Sequence, residues 1–170
     1  MVVGRLSSEI KQGRPFASLE EEALLGVQRT ASVLDQAVAE ALKPYELSIT
    51  QYNALRILRG AGAAGLPCQE IGERMVTRDP DITRLLDRLE ARKLIERSRP
   101  PRDRRVVLVR ISEAGRRLLS SMDSSIDVLP KRLLGHLGQR RVGLLIDLLE
   151  RARTQASGNS LGGRKWDVKS

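Results

Sequence analysis

The sequence predicts a mainly α-helical fold carrying one small β-hairpin, and three observations predict it. Apolar residues recur at spacings of three and four through most of the 170 residues, the period of amphipathic helices. Two of these runs open on tetrads with capping-box spacing, Ser18-Leu19-Glu20-Glu21 and Ser48-Ile49-Thr50-Gln51. One stretch, Val106 to Ile111, reads instead as a strand, and it follows a proline pair and a knot of arginines.

Taken in order, residues 1–17 are mixed in character and contain Gly13 and Pro15, so they read as a flexible arm. Ser18 opens a helix whose stripe is Leu24, Val27, Ala31, Leu34, Val38 and Ala41, and Pro44 ends it. Ser48 opens a second, with Tyr52, Leu55 and Leu58 on its buried side and Gly60 and Gly62 as its stop. GAAGLP is a turn, Cys68 to Met75 a short third helix with Ile71 and Met75 inward, and VTRDP its break. Asp79, Pro80 and Asp81 have the composition of a helix start, with proline in the first turn and acids at the positive end of the dipole. The helix they open turns Ile82, Leu85, Leu86 and Leu89 to one side and Thr83, Arg84, Asp87 and Arg88 to the other. Ile95–Arg99 and Val106–Ile111 form the hairpin around PPRDRR, and the second strand places Val107, Val109 and Ile111 on one face. Ser112 caps a long helical segment reaching about residue 153, kinked at Pro130 and broken at GHLGQ. Its last part carries Val142, Leu145, Ile146, Leu148, Leu149 and Ala152. Residues 156–170 are rich in Gly and Ser and read as a flexible tail.

The formal net charge is +9. From Arg74 to Arg110 there are 12 Lys and Arg against 6 Asp and Glu, so two thirds of the excess falls on this segment. A localised cationic patch points to a polyanion. The single cysteine, Cys68, excludes an intrachain disulfide framework, the N-terminus lacks a signal-peptide core, and no apolar run approaches the ~20 residues of a membrane span. A cytoplasmic location follows by default, with no membrane partner. One histidine, His136 in the helix break, one cysteine, no phosphate-binding glycine loop and no metal-ligand spacing argue against an enzyme, a cofactor or a metal site. Only three aromatic residues accompany Trp166 of the tail, too few to stack the bases of a single strand.

Helix, helix, helix, charged amphipathic helix and hairpin is the order of a winged helix-turn-helix. In that arrangement the second helix of the pair enters the major groove of duplex DNA, and an arginine-tipped hairpin reaches the neighbouring minor groove. A plainer reading stands beside it. Arg84 and Arg88 are spaced to pair with Asp81 and Asp87 along an exposed helix, each pair contributing about 0.2–0.5 kcal/mol.

The run ITRLLDRLEARKLIERSRPPRDRRVVLVRISEAGRRLL, Ile82 to Leu119, resembles the signature of the MarR family of winged helix-turn-helix regulators: a helix ending D-R-L-E, a strand, a D-x-R wing, a second strand and an S-x-x-G helix start. LSITQYNALRIL and LPCQEIGERM match the two preceding helices in order, so the likeness covers residues 20–153. It implies a homodimeric DNA-binding regulator, a repressor on a pseudo-palindromic operator, with residues 18–47 and 113–155 as dimerisation helices around a DNA-binding lobe at 48–112. It also implies that Asp103 orients Arg105 into the minor groove beside Arg102 and Arg104, and that Arg78, Asp81, Thr83, Arg84 and Arg88 lie on or near the recognition surface. An acid at Asp81 suits cytosine N4. Lys93 departs from the family pattern, which has glycine there. The family further implies a small lipophilic or phenolic effector, for which Tyr52 and Asn53 are candidate pocket residues. The alternatives are a thiol switch at Cys68, whose place at a helix start favours a thiolate, and a nonspecific nucleic-acid-binding protein.

Overall fold

A computed structural model describes residues 5–77, 81–99 and 106–161, the last four of them as backbone only. The chain divides into two compact units, one up to Ile126 and one from Asp127.

The first unit begins with a short helix α1, Leu6–Glu9, inside the stretch expected to be an unstructured arm. The reason lies in the next helix, α2 (Leu19–Leu42). Its Gly26 lies beside the Leu6 side chain, and its Arg29 faces Glu9 across 3.9 Å. Ser18 caps α2 by accepting the Glu21 N–H at 3.1 Å, whereas the Glu21 carboxylate accepts the N–H of Ala17 at 2.6 Å, one residue upstream of the capping-box partner. A 3-10 turn, Lys43–Tyr45, and Glu46 in the left-handed region (φ 54°) lead to α3 (Ile49–Ala61). Here the capping box is complete, since Ser48 Oγ accepts from Gln51 N and Gln51 Oε1 from Ser48 N. Gly62, at φ 64°, stops the helix.

The turn expected at GAAGLP ends in a strand. β1 (Leu66–Pro67) pairs antiparallel with β3 (Leu108–Ile111), which also pairs with β2 (Ile95–Ser98), so the sheet order is β1-β3-β2. Two residues are too few to display an alternation, and only the pairing with Val109 and Leu108 reveals them. Gly65, at φ 69°, makes the approach possible, because a Cβ there would stand 2.7 Å from the Val109 carbonyl oxygen. Between the strands lie α4 (Cys68–Arg74) and α5 (Ile82–Ala91), and after the sheet α6 (Glu113–Asp127).

The core gathers one face from each of α3 to α6 and from the sheet: Leu55 and Leu58 of α3, Ile71 of α4, Leu86 and Leu89 of α5, Val109 of β3, Leu119 and Met122 of α6, all fully buried. Leu42 brings the end of α2 into the same cluster. Ser112 fixes the start of α6 through an Oγ that donates to the Lys93 carbonyl at 2.6 Å and accepts from Gly115 N at 3.0 Å.

In the second unit, α7 (Leu129–Leu134) is followed by a 3-10 turn, Gly135–Leu137, and by α8 (Gln139–Leu161). Pro130 sits in the first turn of α7, where its missing N–H has no intrahelical acceptor, so it begins a helix where a kink was expected. Gly138, at φ 76°, marks the expected break. No proline interrupts the backbone before Leu161, and α8 runs six residues into the expected tail. Among its described side chains none is buried, and Leu144, Ile146 and Leu148 are 51–60% exposed.

Candidate nucleic-acid interface

Ten residues are too few for a helix to stand alone in water, so α5 depends on its packed side. Leu85, Leu86 and Leu89 supply it, each burial contributing about 1.5–3 kcal/mol. That far exceeds the few tenths from an exposed ion pair, leaving the opposite face free to carry charge for other ends. On that face Thr83, Arg84, Asp87 and Arg88 are exposed together, as the spacing predicts.

Asp81 is the N-cap. One carboxylate oxygen accepts the Arg84 N–H at 3.1 Å and the other lies 3.0 Å from Arg84 Nε, which ties Asp81 to the helix start. Arg84 nonetheless remains 78% exposed. Where α5 meets the beginning of α3, Ser48, Thr50, Gln51, Asp81, Arg84 and Arg88 line a polar notch of about 270 Å³. The hydroxyl and amide side of this notch was not singled out in the sequence, because it forms only when two capping segments converge.

At its other end α5 closes in a Schellman motif: Leu94 N donates to Leu89 O at 3.0 Å and Lys93 N to Glu90 O at 2.8 Å, with Lys93 at φ 58°. Lys93 therefore occupies the left-handed position without a glycine's freedom. Arg92 reaches back, donating to the carbonyls of Glu46 at 2.5 Å and Tyr45 at 3.2 Å, and so joins the end of α5 to the turn between α2 and α3.

One arginine of the wing region turns inward. Arg97 of β2 donates from Nη1 to Asp87 Oδ1 at 2.6 Å and to Glu90 Oε2 at 2.9 Å. The sequence reading counted it with the cationic cluster and missed this role, although the alternation starting at buried Ile95 puts residue 97 on the same face. Arg110, on the other side of β3, donates to Ala63 O and Ser98 Oγ, bracing the sheet.

Cys68, Thr83, Arg97, Ser98, Arg99 and Val107 line a larger cavity of about 510 Å³. Burial pushes the Cys68 thiol up, Arg97 draws it down, and Asp87 pushes it up again, so the net direction is away from the thiolate. Tyr52 and Asn53 are half-buried on α3 and line neither of these cavities, and the Arg56 guanidinium lies 5.7 Å from the centre of the Tyr52 ring. Arg78, Arg102, Asp103, Arg104 and Arg105 lie outside the described residues. Among the described residues no cluster of His, Cys, Asp and Glu could hold a metal, and no helix is long and apolar enough to cross a membrane.

Residues 47–107 match the family model described as MarR family. The crystal structure of a MarR transcription factor from Planctomyces limnophilus is 40% identical, with 80% of this chain and 98% of that one covered and a TM-score of 0.61. A mutant MarR from E. coli complexed with operator DNA is 26% identical, covering 80% and 99% of the two chains at a TM-score of 0.70. The HTH-type transcriptional regulator TtmR of Methylorubrum extorquens (strain PA1) is 33% identical over 106 residues, 62% of this chain and 53% of that protein. The chain spans about half the length of the curated relatives it first matches. With a helix pair and three-stranded sheet built around α5, and a 40% identical relative matched over nearly its whole length, the chain belongs to the MarR family of transcriptional regulators.

Proposed function

We propose that the protein is a homodimeric repressor that binds a pseudo-palindromic operator and releases it on binding a small apolar anion. The observation that carries the DNA-binding part is the two-sided α5, with three leucines in the core and Thr83, Arg84 and Arg88 exposed on the opposite face. In this reading α5 enters the major groove, the notch beside Thr50 and Gln51 lies along the phosphate backbone, and the wing residues Arg102, Arg104 and Arg105, oriented by Asp103, reach the minor groove. Arg78 adds a cation before the recognition helix.

The dimer is supported by apolar side chains left exposed within one chain: Leu24, Val27 and Val33 on α2, and Leu144, Ile146 and Leu148 on α8. Two recognition helices on one face of B-DNA set half-site centres about one turn, ~10 bp, apart. A site for the effector is supported by the larger cavity, where Arg99 stands beside Val107 and Cys68. Tyr52 and Asn53, half-buried on α3, remain candidate pocket residues apart from that cavity. The raised Cys68 thiol favours such a ligand over a redox switch, since the thiolate is the reactive form.

A mobility-shift series on duplex upstream of the protein's own reading frame tests the whole reading. Specific retardation, lost on adding a member of an aromatic-acid panel and equally lost in Cys68→Ser, is the expected result. A chain that binds random and upstream duplex equally fails it, and release by peroxide alone, absent in Cys68→Ser, replaces the ligand with the thiol.

A further inference from the structure

Asp87 and Glu90 are out of place by the ordinary rules of helices. Both lie in the second half of α5, where the dipole disfavours acids, and Asp87 shares the exposed face with Arg84 and Arg88. A bare carboxylate there repels phosphate and offsets one of the cations beside it. Arg97 resolves the difficulty. In the β2–β3 register Ile95 faces Ile111 and Arg97 faces Val109, so Arg97 lies on the inner side of the sheet together with three buried residues. Its side chain is 23% exposed, and its guanidinium spans Asp87 and Glu90 and reaches the Thr83 carbonyl at 3.4 Å. One side chain from the strand that enters the wing therefore touches α5 at positions about two turns apart.

We propose that Arg97 is a positioning residue for DNA recognition: it cancels Asp87 and Glu90 and fixes the roll of α5 against the wing strand, without touching DNA. The two effects are separable. Cancelling the acids raises affinity for any duplex, whereas fixing the roll sets which base edges Thr83, Arg84 and Arg88 meet. This inference rests on the proposed DNA-binding function and adds to it the residue that orients the recognition helix.

The probe is the duplex that the parent chain enriches from a randomised pool, beside a scrambled duplex of equal length. Arg97→Gln is expected to keep its helical circular dichroism, to lose about tenfold in affinity for the selected duplex, and to keep the parent's salt slope, because no phosphate contact is removed; a slope shallower by about one would mark a direct phosphate contact and overturn the inference. Adding Asp87→Asn and Glu90→Gln to Arg97→Gln removes the uncovered charges, so affinity returns while discrimination between the two duplexes stays impaired. An arginine that merely filled space would show no such rescue. Asp87→Asn with Glu90→Gln alone leaves the stem of Arg97 in place and frees its charge, and is expected to bind scrambled duplex more tightly and to discriminate less. Unchanged binding in Arg97→Gln, a triple variant as weak as Arg97→Gln, or full discrimination in the double variant overturns the inference while leaving the DNA-binding function intact. A parent chain that enriches no duplex overturns both.

Discussion

Lys93 holds a backbone conformation that costs an L-residue about 1–2 kcal/mol in the left-handed region. The surrounding motif enforces it, with Leu94 N bonded to Leu89 O and both leucines buried. Lys93→Gly removes the steric cost but frees the unfolded chain, so the net gain is expected near 0.5–1 kcal/mol in urea denaturation. A loss of stability would show that the lysine side chain contributes more than its backbone costs. At Cys68 the sign is set by burial, which raises the thiol and lowers its reactive fraction at neutral pH. Alkylation by iodoacetamide should reach half its limiting rate above the pH of an ordinary thiol. In Arg97→Gln the midpoint should rise further, because the guanidinium that favours the thiolate is gone. A midpoint below that of a free thiol would revive the redox reading.

Among the elements, α5 and α6 are joined at a point with no spare volume. A Cβ on Gly115 would overlap the Leu94 carbonyl oxygen and lie 2.8 Å from Ile111 Cγ1, so the two strand ends and the α6 start can meet only over a glycine. Gly115→Ala is expected to cost about 2–3 kcal/mol by overpacking, read as a lower urea midpoint with an unchanged slope. Little change would mean that α6 can slide without disturbing the sheet. Along α5 itself the arginines should divide their labour. Arg84→Ala should relax preference at one base position, by about 1–3 kcal/mol if its contact is bidentate, whereas an arginine serving only phosphates weakens all sequences alike. Equal binding by Arg84→Ala and the parent, with an equal salt slope, would return Arg84 to the plain role of pairing with Asp81, which it does at 3.0 Å.

For the molecule as a whole, a 23-residue helix with no buried side chain among those described calls for a covering surface. If the proposed dimer forms through this face, Leu144→Glu with Leu148→Glu should convert it to a monomer in sedimentation equilibrium while leaving the first unit folded. Operator affinity should then fall by about a hundredfold or more, because the second half-site is no longer held at high local concentration. A variant that stays dimeric would place the interface elsewhere. Much of this organisation was legible beforehand: the helix starts at Ser18, Ser48 and Asp81, the dry and charged faces of α5 and the strand at Val109 all follow from local rules. That Arg97 faces inward was legible in principle, since it continues the alternation from Ile95, but its partners on α5 were not.

By itself the sequence determined what depends on neighbours along the chain: the period of each helix, its caps, the place of the charge excess and the ordered motif of the family. Local hydrogen bonds and burial patterns repeat every two to four residues, so they leave a trace in the order of residue types. The tertiary structure alone decided what depends on residues far apart. It paired Leu66 and Pro67 with β3, brought Ser48, Thr50 and Gln51 beside Arg84, carried Arg92 to the carbonyls of Tyr45 and Glu46, and turned Arg97 onto Asp87 and Glu90. Each of these contacts closes a chain loop whose ends no sequence period connects, and only the packing of several elements on one core brings them within reach.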